Sequence, residues 1–441
     1  MDGVIFAGLI ILIGLTAVPY GTVEPWSEAV FECAVLALAG LWVIHGLLTG
    51  GWRVEIPRIF LPLIALVGLA LIQSLSFGHT VVAGVSVGRA ISADPFESRL
   101  FALKLSSLIL AGLLLLRFIS TRRRLRVIVY VIIAVAVASA LFGIARQTAQ
   151  HGPGFFLPAL RPAIGYAQFI NKNHFAFLME MAMGLVMGVA FVPENNKERL
   201  PFFLSALLVI WAALVLSFSR GGLLAMVAQI VCAAFLLLNA KAAGRALEDS
   251  RGKILTVARI GIAGALLLAV AGGVVWLGGD QIATGVETVS TEIALSDRTE
   301  LHEGARRRDI WRASWGMFKA HPLAGTGFGG YWAEVPTFHE ASGAVTPQQA
   351  HNDYLEILAS GGIAGLALLV WFAIALVRQA RASLSVSRGF QRAATLGAIL
   401  SVIGVGVHSV FDFGLHITVN ALIFVVLLAI LSLRPLPSGN I

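Results

Sequence analysis

Apolar runs of about 20 residues recur along the whole chain, and they constrain its fold more than any other feature. A helix needs about 20 mostly apolar residues to cross a membrane. Hydrophobic residues make up 58% of the 441 residues and charged residues 13%, about half the roughly 25% typical of soluble proteins. The sequence therefore predicts an all-α polytopic membrane protein. About twelve transmembrane helices are expected, at 3–20, 29–48, 59–76, 100–118, 127–147, 172–192, 201–218, 222–239, 257–277, 353–377, 393–411 and 416–433.

The basic residues indicate how these spans are oriented. Loops on the side of the two termini hold 19 of the 32 Lys and Arg residues, and the opposite side holds 13, of which six fall in one long loop that the positive-inside rule does not count. We therefore expect both termini in the cytoplasm. Residues 1–277 would form nine spans, 278–352 a large periplasmic loop domain with an amphipathic helix, and 353–441 three spans and a short cytoplasmic tail. The net charge of +8 then indicates topology and not nucleic-acid binding.

The segment Ser219-Arg220-Gly221-Gly222 lies between spans seven and eight, on the predicted outer side. An arginine at the membrane edge is costly unless it reaches the interface or finds a partner. Arg220 can therefore be a simple anchor at a helix start. It can also bind an anion, because glycines allow close approach and a helix N-terminus adds partial positive charge.

The long outer loop contains an arginine-rich segment, Arg306 to Lys319. Trp311, Trp315 and Phe318 recur at the spacing of one helix face, which predicts an amphipathic helix with these three aromatic residues on its apolar side. Arg308 and Arg312 are four residues apart and share a stripe. The helix can bind acidic lipid headgroups or, through the arginine fork, a phosphate or diphosphate.

Two further motifs follow in the same loop. His321 to Tyr331 is rich in glycine, but it lacks the Gly-Lys-Ser/Thr ending of a phosphate-binding loop, and a structural turn is the favoured interpretation. His351 then precedes Asn352 and Asp353, either of which can cap the helix of span ten. His351 can be structural or act as a general base, with Asp353 and Glu356 nearby to hold its tautomer.

Polar groups from other outer segments complete the candidate site. Asp412 at the end of span eleven is a costly charge near the membrane edge, and we expect one of the arginines to be its partner. Asn173 begins span six on the same face. Spacings typical of zinc sites and an Asp-x-Asp motif are missing from the sequence, so metal-dependent hydrolysis is disfavoured. This chemistry favours an anionic, lipid-linked substrate that approaches from the outer leaflet.

These motifs, in this order and topology, resemble the bacterial O-antigen ligase and O-antigen polymerase superfamily. The resemblance implies a membrane glycosyltransferase of C-type-like fold that uses an undecaprenyl-diphosphate-linked glycan without a metal or cofactor. His351 would be the catalytic base, and Asp412, Asn173, Asp353 and Glu356 would support it. Arg220 and Arg308 would bind the diphosphate, with Arg312 or Arg298 as alternatives to Arg308.

The resemblance leaves the acceptor open among lipid A-core, another lipid-linked glycan and protein hydroxyls, with a preference for lipid A-core, as in a ligase. The expected partners are these glycans and membrane lipids of the bacterial inner membrane, and no nucleic acid. A transporter or flippase of lipid-linked sugars is the alternative of another class. Against it, the halves of the chain show no repeat, and the ionisable groups gather at the outer face instead of at mid-membrane.

Overall fold

The computed structural model of the chain describes residues 1–50, 55–82, 85–162, 164–191, 199–242, 307–339 and 347–437, and it is mostly helical there. Its α-helices are α1 (Asp2–Leu15), α2 (Pro25–Thr49), α3 (Leu61–Gln73), α4 (Pro95–Phe118), α5 (Arg122–Ala149), α6 (Lys172–Phe191), α7 (Leu200–Leu216), α8 (Arg220–Ala242), α9 (Arg307–Ala320), α10 (Tyr331–Glu334), α11 (Asp353–Val386), α12 (Gly389–His408) and α13 (Thr418–Ser432). Short 3-10 helices occur at Arg58–Phe60, Val335–Thr337 and Gly414–His416.

The apolar segments of the sequence are helical wherever the structure describes them. Six helices are long and apolar enough to cross a membrane, namely α2, α4, α5, α6, α11 and α12. Five shorter apolar helices coincide with the other predicted spans, apart from 257–277, which lies outside the described residues. A helical membrane protein is therefore confirmed, whereas twelve spans and their orientation stay predictions.

A β-hairpin follows α3, where the sequence analysis expected only a loop. Strand β1 (Ser76–Val82) pairs antiparallel with β2 (Val85–Ala90), and His79 lies opposite Gly88. The register is irregular between Ser76 and His79. Valine is the most frequent residue of the strands, and β-branched residues favour extended backbone. The described residues are otherwise mostly helical, in agreement with the all-α prediction, and this hairpin is an element that was not predicted.

The described helices belong to two compact units. The first comprises Met1–Val131, Glu300–Ser387 and Ser409–Ile441. In this unit α4 packs against α2, α3 and α13. Gly112 on α4 lies so close to Val425 and Phe60 that a Cβ atom would collide with both side chains. The small residue therefore allows these elements to pack tightly.

A polar network ties α2 and α4 to the start of α13 in this unit. Lys104 on α4 forms an ion pair with Glu28 on α2. The same ammonium donates to the His416 carbonyl at 2.7 Å, and the Thr418 hydroxyl donates to Glu28 at 3.1 Å. The segment that begins α13 is thereby fixed against the helix bundle.

The second unit comprises Ile132–Thr299 and Arg388–His408. Its centre is α6, which packs along α12 through small residues. Gly188 lies against the backbone of Gly397, and Gly184 lies against Ser401. The Ser401 hydroxyl also donates to the Met181 carbonyl. Small residues at such interfaces let helix backbones approach closely, as is common inside membranes.

Candidate functional site

The candidate site in the first unit is built around the start of α11. Asn352 caps this helix, because its Oδ1 accepts a hydrogen bond from the Leu355 N–H at 3.0 Å. Asp353 and Glu356 lie in the first turn, where carboxylates interact favourably with the positive end of the helix dipole. Of the two predicted caps, Asn352 is thus the one that acts, and His351 immediately precedes it.

His351 adopts a backbone conformation that is rare for a residue with a side chain. Its φ is +50°, in the left-handed region. Such conformations persist only where the surrounding structure imposes them, and they cluster at functional sites. The Phe413 ring meets the imidazole edge-on, with the ring centres 4.8 Å apart. The His351 side chain is 30% exposed, so it is held in place and still accessible.

Asp412 connects His351 to an arginine. Its side chain is only 1% exposed, and its Oδ1 accepts a hydrogen bond from the Phe413 N–H at 2.9 Å. The same oxygen lies 3.5 Å from His351 Nδ1, and Oδ2 lies 3.7 Å from Arg307 Nη2. The predicted arginine partner of Asp412 is therefore Arg307.

The position of Asp412 favours one tautomer of His351. A carboxylate beside Nδ1 stabilises the imidazole with its proton on Nδ1, which leaves Nε2 as the proton acceptor. At 3.5 Å the contact lies within ion-pair range, but Nδ1 makes no hydrogen bond with the described residues. Contacts of this kind often tighten only when substrate binds.

A second histidine, His416, contacts the carboxylates of α11. Its Nε2 lies 3.3 Å from Glu356 Oε1 and 3.7 Å from Asp353 Oδ1. No role was predicted for His416, because no local pattern relates it to the start of α11. Its position shortly after Asp412 was the only available signal.

Asp353 and Glu356 also hold the two loops of the site. Asp353 accepts a hydrogen bond from the Ser409 hydroxyl at 2.6 Å, and its own N–H donates to the Ser409 carbonyl at 2.9 Å. Glu356 accepts one from the Ala350 N–H at 2.8 Å. Asp353 thus anchors the chain before Asp412, and Glu356 anchors the chain before His351. Their contacts fit the predicted supporting role.

Helix α9 carries the arginines and buries one of its faces. Its buried residues are Ile310, Ala313, Ser314 and Met317, whereas Trp315 is 48% exposed. The Ser314 hydroxyl shares a hydrogen bond with the buried Tyr331 hydroxyl at 2.7 Å. The predicted aromatic face is thus not the buried one, and its contact with lipid or phosphate stays a prediction.

The arginines of α9 therefore divide into two groups. Arg307 lies against Asp412. Arg308 and Arg312 have exposed side chains, and Arg312 pairs with Asp309 one turn away at 3.7 Å. Arg298, the remaining alternative, lies outside the described residues. Sequence spacing pointed to Arg308, but the contact with the His351–Asp412 pair is made by its neighbour.

The glycine-rich loop is a structural turn that packs between helices. Gly325, Gly327 and Gly329 all have φ between 67° and 93°, which favours glycine. Gln73 at the end of α3 is fully buried there. Its amide donates to the carbonyls of Ala324 at 2.6 Å and Ser360 at 2.9 Å, and accepts from the Phe328 N–H at 3.1 Å.

The same loop meets α11 where that helix is interrupted. Gly362 has non-helical angles, φ 59° and ψ −153°. The N–H groups of Ile363 and Ala364 donate to the carbonyls of Pro322 and Leu323 at 2.8 and 3.1 Å. The break thus exchanges helical hydrogen bonds for bonds to the glycine-rich loop. Nearby, burial raises the pKa of the Tyr331 phenol, which therefore stays a neutral hydrogen-bonding group.

The second unit holds the Ser219-Arg220-Gly221-Gly222 segment at the start of α8. The Ser219 hydroxyl accepts from the Gly222 N–H at 3.2 Å and donates to Asn173 Oδ1 at 2.8 Å. Arg220 follows with an exposed side chain. Asn173 therefore acts by fixing the cap that precedes Arg220, which gives the predicted supporting residue a concrete contact.

A buried acid–histidine pair lies behind this segment. His408 Nδ1 is 3.0 Å from Glu180 Oε2, and both side chains are at most 1% exposed. The His408 ring stacks on Phe177 with centres 4.1 Å apart. Gly221 lies against the same imidazole, so closely that a Cβ atom would collide with it. The sequence analysis missed this pair, because each residue is an isolated polar group in an apolar run.

Apart from Arg308 and Arg312 on α9, the predicted site residues that the structure describes fall into two groups. The structure gathers four of them around the start of α11, namely His351, Asp353, Glu356 and Asp412. Asn173 and Arg220 lie in the second unit. Within the described ranges, no group of three or more His, Cys, Asp and Glu residues could hold a metal ion. The expectation that the protein needs no cofactor stays a prediction.

Comparison with known families agrees with the motifs. Residues 204–370 match the O-antigen ligase family. The matched segment includes the Arg220 turn, α9, the glycine-rich loop and His351, whereas Asn173 and Asp412 lie outside it. No curated protein matches the chain at a significant level. This match over residues 204–370, together with the ordered motifs, supports the similarity of this membrane protein to the O-antigen ligase and O-antigen polymerase superfamily.

Proposed function

We propose that the protein transfers a glycan from an undecaprenyl-diphosphate-linked donor to a hydroxyl of lipid A-core at the periplasmic face of the inner membrane. The match to the O-antigen ligase family supports glycan transfer in general. The observation that carries the proposal further is the His351–Asp412 contact, with Asp412 buried and His351 partly exposed. An oriented imidazole that a substrate can reach is the usual form of a general base.

The chemistry requires a base on one side of the reacting carbon and charge stabilisation on the other. His351 Nε2 would take the proton of the acceptor hydroxyl as its oxygen attacks the anomeric carbon. The bond from that carbon to the diphosphate breaks, and the diphosphate leaves with the electron pair. Asp412 would stabilise the imidazolium that forms. A single displacement of this kind inverts the anomeric configuration, and a general base contributes about 10²–10⁴-fold to such a rate.

The leaving diphosphate needs cationic ligands, for which the family resemblance suggests Arg220 and Arg308. Arginine suits this task because its planar fork can bind phosphate oxygens in pairs. Arg308 and Arg312 are exposed on successive turns of α9, and a ligand could reach both. Arg307 has a different role in the proposal, because its contact is with Asp412. It would orient that carboxylate and balance its charge.

A repeat-unit polymerase of the same superfamily shares these motifs, so acceptor choice must be tested directly. The experiment uses purified protein in liposomes with a lipid-linked oligosaccharide and either lipid A-core or a second lipid-linked oligosaccharide as acceptor. We expect lipid A-core to gain the whole glycan as undecaprenyl diphosphate is released. A ladder of longer lipid-linked glycans would instead identify a polymerase. If neither acceptor is consumed, the result contradicts glycan transfer.

The periplasmic location rests on the distribution of Lys and Arg residues. Reporter fusions within 280–345 would test it in cells. Activity of a periplasm-dependent reporter at these positions is expected. Activity of a cytoplasm-dependent reporter would overturn both the orientation and the proposed direction of approach.

A further inference from the structure

A cavity of about 380 Å³ opens in the second unit, outside the groups assigned above. It lies where the end of α5, the loop 150–171, the start of α6 and the end of α7 meet. Its volume falls in the range of about 300–1,000 Å³ that small-molecule sites occupy. Two cationic side chains, Arg146 and Lys172, line it, and the described lining residues include neither Asp nor Glu. The cavity therefore favours an anion.

Arg146 is the strongest indication of what the cavity holds. Its side chain is 3% exposed. It donates to the carbonyls of Ala167 at 2.6 Å and Arg161 at 2.7 Å, and to the Gln150 side chain. All three acceptors are neutral, and no carboxylate of the described chain pairs with this guanidinium. Because a buried charge is costly without an opposite charge, the cavity has a cation that needs a counter-ion.

The guanidinium has donors left for such a counter-ion. It carries five N–H groups, and the three bonds to protein oxygens leave two of them. A carboxylate or phosphate accepts charge-assisted hydrogen bonds from arginine more strongly than a neutral group does. Arg146 could therefore hold the loop 150–171 through its carbonyls and bind an anion at the same time.

Tyr166 gives the cavity a second polar group. This residue is 6% exposed, and its hydroxyl finds no hydrogen-bond partner among the described residues. Burial raises the pKa of Tyr166 to about 12, so the phenol remains a neutral donor. Gln147 adds an amide to the lining. An aromatic ring, amides and a hydroxyl around a cation are the groups that bind the hydroxyls and charge of an acidic sugar.

The cavity also adjoins the segment that leads to Arg220. Ser217 and Phe218 line it, and Phe218 has a φ of +53° immediately before the Ser219 cap. A ligand in the cavity would therefore touch the chain two residues before the arginine that we assign to the diphosphate.

We propose that this cavity binds an acidic saccharide, a sugar whose carboxylate or phosphate is held by Arg146. The inference that this saccharide belongs to the glycan substrate rests on the proposed function, whereas the anion site itself does not. The phosphate of an acidic lipid headgroup has the same anionic chemistry, and the test distinguishes the two sources.

The test measures binding without any transfer reaction. The full chain is placed in nanodiscs of phosphatidylcholine, and calorimetry compares a glucuronate-containing oligosaccharide with a neutral glucose oligosaccharide of equal length. We expect the acidic oligosaccharide to bind at least about tenfold more tightly, as one charge-assisted hydrogen bond provides. The difference should shrink as salt is raised.

Three variants locate the site. Tyr166→Phe removes a hydroxyl without a protein partner, so its thermal stability should match the wild type while affinity for the acidic oligosaccharide falls about fivefold. Arg146→Gln should bind the acidic and the neutral oligosaccharide with equal affinity. Arg123→Gln, at the opposite end of α5, removes an exposed charge as the matched control and should bind normally. If Arg146→Gln fails to fold, the affinity of Tyr166→Phe and the salt dependence of wild-type binding decide whether the acidic oligosaccharide binds in this cavity.

Equal affinity for the two oligosaccharides would overturn the inference, as would full binding by Tyr166→Phe. Loss of saccharide binding when phosphatidylglycerol replaces part of the phosphatidylcholine would identify a headgroup site and also overturn it. Failure of glycan transfer with intact saccharide binding would count against the proposed function alone. Intact transfer without saccharide binding would count against this cavity alone.

Discussion

The buried Asp412 carboxylate lies 3.5 Å from the Nδ1 atom of His351, and helices α11 and α12 separate the two residues along the chain. The same carboxylate lies 3.7 Å from Arg307. Asp412 thus orients the proposed base and forms an ion pair with Arg307 on α9. Each of these contacts can be broken separately by substitution.

Asp412→Asn tests the orientation of His351. The amide keeps the shape of the carboxylate but loses the charge that would stabilise an imidazolium. We expect glycan transfer by the purified variant to fall about 10²-fold, the lower end of what a general base contributes. Release of undecaprenyl diphosphate measures this rate. Asp309→Asn on α9, which removes a half-exposed carboxylate that pairs with Arg312, is the control and should transfer normally. Wild-type rates in Asp412→Asn would show that the carboxylate does not support the base.

Substitutions of Arg307 and Arg308 on α9 should change different kinetic constants. Arg307→Gln should lower kcat, because Arg307 acts on Asp412. Arg308→Gln should instead weaken donor binding and raise KM by about 10–100-fold, the cost of a lost charge-assisted hydrogen bond. Arg308→Lys should recover little, because an ammonium cannot reproduce the fork. Initial rates over a series of donor concentrations measure both constants. Identical kinetic changes in the two glutamine variants would remove the distinction drawn from the structure.

Gln73 should be a major determinant of stability. Gln73→Leu would leave the Ala324 and Ser360 carbonyls and the Phe328 N–H without their side-chain partner. The Ser360 carbonyl keeps its hydrogen bond from the Gly327 N–H at 2.9 Å. The other two groups are left unpaired at about 1–3 kcal/mol each, so we expect the free energy of unfolding to fall by about 2–6 kcal/mol. Thermal unfolding in detergent measures it. Gln379→Leu loses one bond, to the Leu431 carbonyl at 3.0 Å, and should cost about 1 kcal/mol. Equal losses of stability in the two variants would contradict the role of Gln73 as the side chain that joins α3, the glycine-rich loop and α11.

The Glu180–His408 pair should be energetically coupled. Removing either partner leaves the other polar group buried, so Glu180→Leu and His408→Phe should each destabilise the protein by about 3–5 kcal/mol. The double variant replaces both with apolar groups and should lose much less than the sum. Denaturant unfolding of all four proteins measures the coupling. Additive losses would show that the two side chains stabilise the fold independently.

The sequence predicted the parts of the fold that depend on local pattern. Apolar runs located the helices, and the Asn352 cap fixed where α11 begins. The hairpin of Ser76–Val82 and Val85–Ala90 was not predicted. The sequence did not predict which face of α9 is buried, because that depends on tertiary contacts such as the Ser314–Tyr331 hydrogen bond.

The candidate site was predictable where a motif or an isolated charge marked it. His351 stands in a motif, and Asp412 is conspicuous as a charge at a membrane edge. Arg307 was not singled out as the partner of Asp412, since that contact depends on where α9 lies and not on spacing. His416, Glu180 and Arg146 were missed for a related reason. Their partners are distant in sequence or are backbone carbonyls, which leave no mark in the amino-acid pattern.

The central claim, that His351 is the base for glycan transfer, has one direct test. Purified wild type and His351→Ala are compared in liposomes with lipid-linked donor and lipid A-core, and product formation is followed by mass spectrometry. His321→Ala, which replaces an exposed histidine paired with Glu334, is the matched control. We predict that His351→Ala folds and binds donor normally but transfers glycan at least about 10²-fold more slowly, while His321→Ala transfers normally. Transfer by His351→Ala at the wild-type rate would contradict the account.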